Sequence, residues 1–286
     1  MKLNCFGSWV TCGLLLGIGT IVQHSLYVEA QSLTTYDATQ SKRPPSILPA
    51  APHSSISLSP AVAAVKCNLG QSNSQILTIT NHTPLELVFE MIAEDVVVRD
   101  GNRVFVQAGE TLMGIAATAV FTPKEVVVRP EQSSSVKVTF TIPSDTPLRA
   151  VVAVFRGSPK LRGLNKVQMT GSLGTLFTFT VSPNLKIETA PLTLTAQSAT
   201  SNLEISQFLT NTGSEPLVPD GIAAVLDQAG AVLGKAVFEP QRLLPGERLP
   251  FQTQYAKELQ AGKYRVLASF QYEDKVTTSS IDFTVP

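Results

Sequence analysis

The chain is short of charge, of cysteine and of aromatic side chains. Only 15% of its 286 residues are charged, and 22 basic residues are matched by 22 acidic ones. Without a basic excess it has little to set against a phosphate backbone, and without a high net charge it is no disordered polyelectrolyte, so a nucleic-acid partner is not expected. Its cysteines are Cys5, Cys12 and Cys67, and the first two fall in a leader. A disulfide framework within one mature chain is therefore excluded. Past the leader the histidines are His53 and His82. Neither accompanies a nucleophile elbow, so serine or cysteine hydrolysis lacks its base. No spacing of His, Cys and carboxylates matches a metal site, and no glycine loop precedes a phosphate-cradling lysine. The adjacent pairs Glu94-Asp95 and Glu273-Asp274 would face opposite sides of a strand, which rules against a shared acid/base pair. The expectation is a protein that is not an enzyme, with no catalytic residue, no metal and no small-molecule cofactor.

What the chain does contain begins with one long apolar run, residues 9–22, behind Lys2 and followed by Val28-Glu29-Ala30-Gln31. Residues 1–30 read as a secretory signal peptide cut after Ala30, the alternative being an uncleaved N-terminal anchor. The protein is then exported, to the periplasm or the cell surface. Residues 31–55 are polar and broken by Pro44, Pro45, Pro49 and Pro52, the composition of a disordered Pro/Ser-rich linker.

The remainder alternates apolar and polar residues with period two, as in Val136-Lys137-Val138-Thr139-Phe140-Thr141-Ile142. This is the pattern of strands with one buried and one wet face. An opening strand over residues 56–66 and further strands at 74–80, 85–91, 95–98 with 104–106, 119–123, 125–128, 134–142, 150–156 and 176–181 are expected in the first half. Strands at 203–208, 223–226, 231–233, 251–255, 264–270 and 281–285 follow in the second. Helix is expected only in brief turns near 114–119 and 255–260, and Gly171-Ser172-Leu173-Gly174 reads as a flexible turn.

The sequence also repeats itself. Leu77-Thr78-Ile79-Thr80-Asn81 is echoed by Phe208-Leu209-Thr210-Asn211, and Arg129-Pro130-Glu131 by Leu244-Pro245-Gly246-Glu247. The step from Pro130 to Phe155 equals the step from Pro245 to Phe270. Two copies of one all-β unit follow, a first sandwich over residues 56–184 and a second over 185–286. Tyr264 sits where immunoglobulin-like sandwiches place a corner tyrosine whose hydroxyl bonds back to the chain. Its counterpart in the first unit is Arg149. Asn81-His82-Thr83 matches an N-glycosylation acceptor, and His82 reads as a surface turn residue. Arg156, Lys160, Arg162 and Lys166 form a basic stretch, either a solvated face or an anchor for an anionic group.

The order of these signals resembles the N-terminal domain of periplasmic pilus-assembly chaperones, the PapD-like family. The resembling elements are the opening strand, Gln75 to Asn81, Val127-Val128-Arg129-Pro130 ahead of Val136 to Pro143, and Leu148-Arg149-Ala150 entering the next strand. The resemblance implies two immunoglobulin-like sandwiches and a non-enzymatic role by strand addition, in which an edge strand completes an exported, β-rich, pilin-like subunit or other envelope protein. It points to Leu176 to Val181 as the lending strand, with Phe177, Phe179 and Val181 on one face, and to Lys66 and Lys166 as the cationic pair for a client carboxylate. A structural or adhesive surface module built of the same tandem sandwiches is the other reading.

Overall fold

The structure, a computed structural model, describes residues 55–159, 171–196 and 202–286. The leader, nearly all of the linker, Lys160, Arg162 and Lys166 lie outside the described residues. The first ten strands are β1 (Ile56–Ser59), β2 (Val62–Lys66), β3 (Ser72–Asn81), β4 (Leu87–Arg99), β5 (Asn102–Gln107), β6 (Val120–Thr122), β7 (Glu125–Val128), β8 (Gln132–Thr141), β9 (Ala150–Pro159) and β10 (Gly171–Thr180). They form a sheet of order β1-β3-β8-β6 facing another of order β2-β10-β9-β4-β5, with β7 also on β4. The eight that follow are β11 (Ile187–Thr189), β12 (Thr193–Ala196), β13 (Leu203–Asn211), β14 (Asp220–Asp227), β15 (Val232–Phe238), β16 (Arg248–Tyr255), β17 (Gly262–Tyr272) and β18 (Lys275–Val285). Here β13 carries β11 and β12 on one flank and β16 on the other, and the facing sheet runs β15-β14-β17-β18. The chain is thus all-β, two tandem immunoglobulin-like sandwiches.

Each sandwich has its own core, because alternate residues of both sheets point inward. Leu77, Ile79, Phe89, Phe140, Phe155, Phe177 and Phe179 fill the first, and Ile205, Leu209, Val225, Phe238, Phe251 and Phe270 the second. On the wet face of β3 and β8, hydroxyls pair across the strands: Ser72 with Thr141 at 2.7 Å, Ser74 with Thr139 at 2.7 Å and Thr80 with Ser133 at 2.8 Å. Cross-strand pairs of this kind stabilise a ladder without burying apolar surface.

Four expectations change. The opening strand is two strands, because the chain breaks at Pro60 and changes sheet. β1 pairs antiparallel with β3, whereas β2 pairs parallel with β10. The segments expected at 85–91 and 95–98 are one strand, β4. Gly171 to Gly174 is no turn but the first half of β10, paired with β9. Gly174 is required there, since a Cβ would lie 2.8 Å from Val152 Cγ2. Strands β11 and β12 went unforeseen, being only three and four residues long. Of the two helical turns, the first is a single 3-10 turn, Ala116–Thr118, and the second has no helix.

Candidate functional site: the groove where the sandwiches meet

Strand β10 organises the junction, since its two faces look at different things. Phe177 and Phe179 point into the first core, and both rings stand edge-on to Phe140 with centroids 4.9 and 6.1 Å away. The expectation of a free, lending edge needs correcting here: over Leu176 to Thr178, β10 is an interior strand, with β9 on one flank and β2 on the other, and β2 stays paired as far as Thr180. Its other face carries Leu176 and Thr178 toward the second sandwich. Leu176, with Val98 and Val154, packs against a buried cluster of Val96, Ala150, Val152 and Leu244, an apolar seam contributed by both sandwiches.

Two buried glutamates lock that seam. Glu247 accepts from Arg103 Nε at 2.6 Å and Nη2 at 2.9 Å, and from the Leu244 amide at 2.8 Å. Arg103 Nη2 also donates to the Arg242 carbonyl. Glu215, fully buried, accepts from Arg149 Nε at 3.1 and 3.2 Å, the Val181 amide at 2.9 Å and Ser182 Oγ at 2.8 Å. The Arg149 guanidinium donates as well to the carbonyls of Thr146 and Leu148. It therefore does in the first sandwich what Tyr264 does in the second, where the hydroxyl donates to the Gln260 carbonyl at 2.7 Å.

At the corner where β2 begins against β10, Val62, Leu176 and Leu249 wall an open groove of about 530 Å³ with Asn102, Arg103, Gln241, Arg242 and Glu247. Arg103 is committed to Glu247. Arg242 is not: Nη1 donates to Thr178 Oγ1 at 3.2 Å, and no carboxylate pairs with it among the described residues. Burial, and then the neighbouring Arg103 charge, pull its pKa down, yet a guanidinium stays cationic at neutral pH. The groove thus keeps one unneutralised positive charge beside apolar walls.

Ahead of this corner β10 has a bare flank. From Gly171 to Thr175 it pairs with β9 alone among the described residues. Leu176 N donates toward β2, to the Ala61 carbonyl at 3.0 Å. By the alternation of a strand, Ser172 and Gly174 turn their amides to that same side.

The residues expected from sequence are only partly gathered. Lys66 ends β2 opposite Thr180, four residues and about 13 Å from Val62 at roughly 3.3 Å per step. It lines a different depression with Cys67 and Ser182. The Val181 amide is taken by Glu215, and Lys166 lies outside the described residues. Arg103, Arg242, Glu215 and Glu247 were missed. One signal was present in the repeat, because Glu215 stands four places after Asn211 where Leu85 stands four after Asn81. Asn81 itself is fully buried with its amide committed, so the glycosylation match is a structural turn.

Among the described residues no group of three His, Cys, Asp or Glu side chains is placed to hold a metal ion. No protein-family model and no curated protein matches the chain. Solved structures similar to it include several fimbrial chaperones. The class 5 fimbriae chaperone CfaA is 10% identical with a TM-score of 0.39, over 81% of this chain and 99% of that one. The E. coli chaperone DraB is 15% identical with a TM-score of 0.38, over 81% and 98%. A Salmonella enterica structure of the SafA pilin with the SafB chaperone gives 10% and 0.37, over 80% and 97%.

Proposed function

We propose that the protein is a non-enzymatic, exported envelope factor that holds a β-rich partner subunit by strand addition, in the manner of a pilus-assembly chaperone. The observation that carries this is the flank of β10 over Gly171 to Thr175, unpaired among the described residues, running into the cationic groove at Val62, Leu176 and Arg242. An unpaired strand edge offers backbone hydrogen bonds to any extended segment laid along it. Arg242 supplies what that segment's end needs, a planar donor for a carboxylate. Phe177 and Phe179 belong to the scaffold in this reading and the partner meets the backbone of β10 instead.

The test is recovery of the protein from its native envelope fraction with whatever accompanies it, comparing wild type with Ser172→Pro and Arg242→Ala. Proline at 172 removes an amide aimed at the bare flank and leaves the β9 ladder whole. A near stoichiometric, small, β-rich companion that disappears with Ser172→Pro and weakens with Arg242→Ala supports the proposal. A solitary protein, or a companion indifferent to both changes, overturns it.

A further inference from the structure

The second sandwich ends on β18, an eleven-residue strand paired residue for residue with β17 from Lys275↔Tyr272 to Val285↔Gly262. No second strand pairs with it among the described residues, although β11 approaches where Ser279 Oγ donates to Thr189 Oγ1 at 3.4 Å. Apart from the Gly171 to Thr175 flank of β10, the other edge strands are short or carry a protecting feature, as long unprotected edges invite pairing with another chain. β1, β2, β6, β7, β11 and β12 have five residues or fewer. β5 is tied at its Gly101 end to Arg248 of β16, β15 lies beside a register shift at Val225/Leu226, and β16 contains Pro250.

β18 has none of these devices. Residues 276–281, Val-Thr-Thr-Ser-Ser-Ile, hold no charge and no proline. The two charged side chains of the strand both bond within the sandwich, and of the two only Asp282 meets an opposite charge among the described residues. Lys275 Nζ is tied back to the Leu185 carbonyl at 2.8 Å, and Asp282 is held by Arg265 at 2.6 and 3.1 Å.

We propose that β18 is a self-association edge, whose occupant is β18 of a second copy of this chain. Antiparallel pairing about a two-fold axis at Ser280 engages the strand's whole length and joins two four-stranded sheets into one. In that register Asp282 lies opposite Thr278 and Lys275 opposite Val285, so no like charges face each other. The half-buried Ile281 and Phe283 come to lie opposite Ser279 and Thr277 of the copy. Partner capture on β10 neither requires this pairing nor competes with it for the same strand.

Sedimentation velocity on the purified exported protein, over a range of concentrations, tests the proposal. A concentration-dependent dimer is expected, and it is lost in Ser280→Lys, which sets two ammonium groups against each other on the axis. Ser280 is exposed, so unchanged circular dichroism and melting show that the variant still folds. In a Cys67→Ser background, Ser280→Cys is expected to form a disulfide-linked dimer under mild oxidation. A wild-type protein monomeric at every concentration, a dimer that survives Ser280→Lys, or a β18 occupied only by a foreign strand overturns it.

Discussion

Asn81 and Asn211 occupy the same place in the two sandwiches and close the same loop in each. Asn81 Nδ2 donates to the Leu85 and Val128 carbonyls at 2.7 and 2.9 Å. Asn211 Nδ2 donates to the Glu215 and Leu243 carbonyls at 2.8 and 3.1 Å. In both cases one acceptor is four residues on and the other lies two before the repeat's proline. The Asn81 carbonyl accepts from Glu131 N and the Asn211 carbonyl from Gly246 N, each at 2.8 Å. Glu131 and Gly246 both have left-handed backbone, φ 55° and 80°. The doubled Thr-Asn and Pro signals in the sequence are therefore one hydrogen-bonding device used twice, and the device is what the repeat preserves.

Replacing either asparagine by alanine removes both amide donations and the Oδ1 acceptor of the following turn, while Leu85 O keeps the Thr83 hydroxyl and Leu243 O keeps the Leu217 amide. Each unsatisfied group costs about 1–3 kcal/mol when buried, so Asn81→Ala and Asn211→Ala are each expected to lower the denaturant midpoint clearly. Urea titration followed by tryptophan-independent far-ultraviolet dichroism measures it. Loss confined to a few tenths of a kcal/mol in both variants contradicts the equivalence. Asn81→Gln, whose longer amide misplaces both donors, is expected to rescue little.

Phe179→Asp is expected to prevent folding rather than to disable a binding surface. The side chain is fully buried, its ring edge-on to Phe140, and an unpaired carboxylate there has no partner. Phe179→Ala is expected to cost about 3–5 kcal/mol. Thermal unfolding of the two variants decides the matter, and a well-folded Phe179→Asp protein would return the β10 side chains to the surface.

How much of this was legible in the sequence follows from which forces are local. Period-two patterning made β8 and β13 readable, because burial of one face is written directly into alternate residues. Tyr264 was readable because its bond to Gln260 spans only four residues. The switch of the opening strand between sheets was not, since Ile56 and Val62 look alike until their partners, β3 and β10, are placed. Nor was the groove. Arg103 and Glu247 are 144 residues apart and Arg149 and Glu215 66 apart, and no local pattern reports a pairing of that span. The bare flank of β10 was misread for a related reason, as Gly171 and Gly174 carry the composition of a turn while a tight contact with Val152 is what selects the second glycine.

Glu215→Ala is expected to destabilise the junction more than the loss of one surface pair. The Arg149 side chain is only 11% exposed and Glu215 wholly buried. Removing one partner of a buried pair costs about 3–5 kcal/mol, whereas replacing both by apolar residues of similar size is often neutral. Glu215→Ala should therefore melt well below wild type, and Arg149→Met with Glu215→Leu should recover most of the difference. Equal melting of the single and double variants would show that the bonds from Val181 N and Ser182 Oγ to Glu215, which both variants lack, carry the junction instead.

Asp95 gives the protein a pH dependence whose sign is set by burial. The side chain is fully buried on β4, and Oδ1 accepts from the Ile115 and Ala116 amides at 2.8 Å each. Oδ2 is left without a partner. Burial pushes the carboxyl pKa up, and the two amides, with the nearby Thr111 hydroxyl, pull it back only in part. The native state thus binds this proton more tightly than the unfolded chain. The stability this group contributes is full below its ordinary value of about 4 and falls as pH rises through the raised native value. In Asp95→Asn the amide oxygen still accepts from both backbone donors, but the titration is gone. Wild type is therefore expected to gain stability relative to Asp95→Asn on going from pH 7.5 to pH 4, measured as the difference in chemical unfolding midpoints at each pH. A difference that stays constant, or that favours wild type more at pH 7.5, would mean that the two amides outweigh the cost of burying the charge.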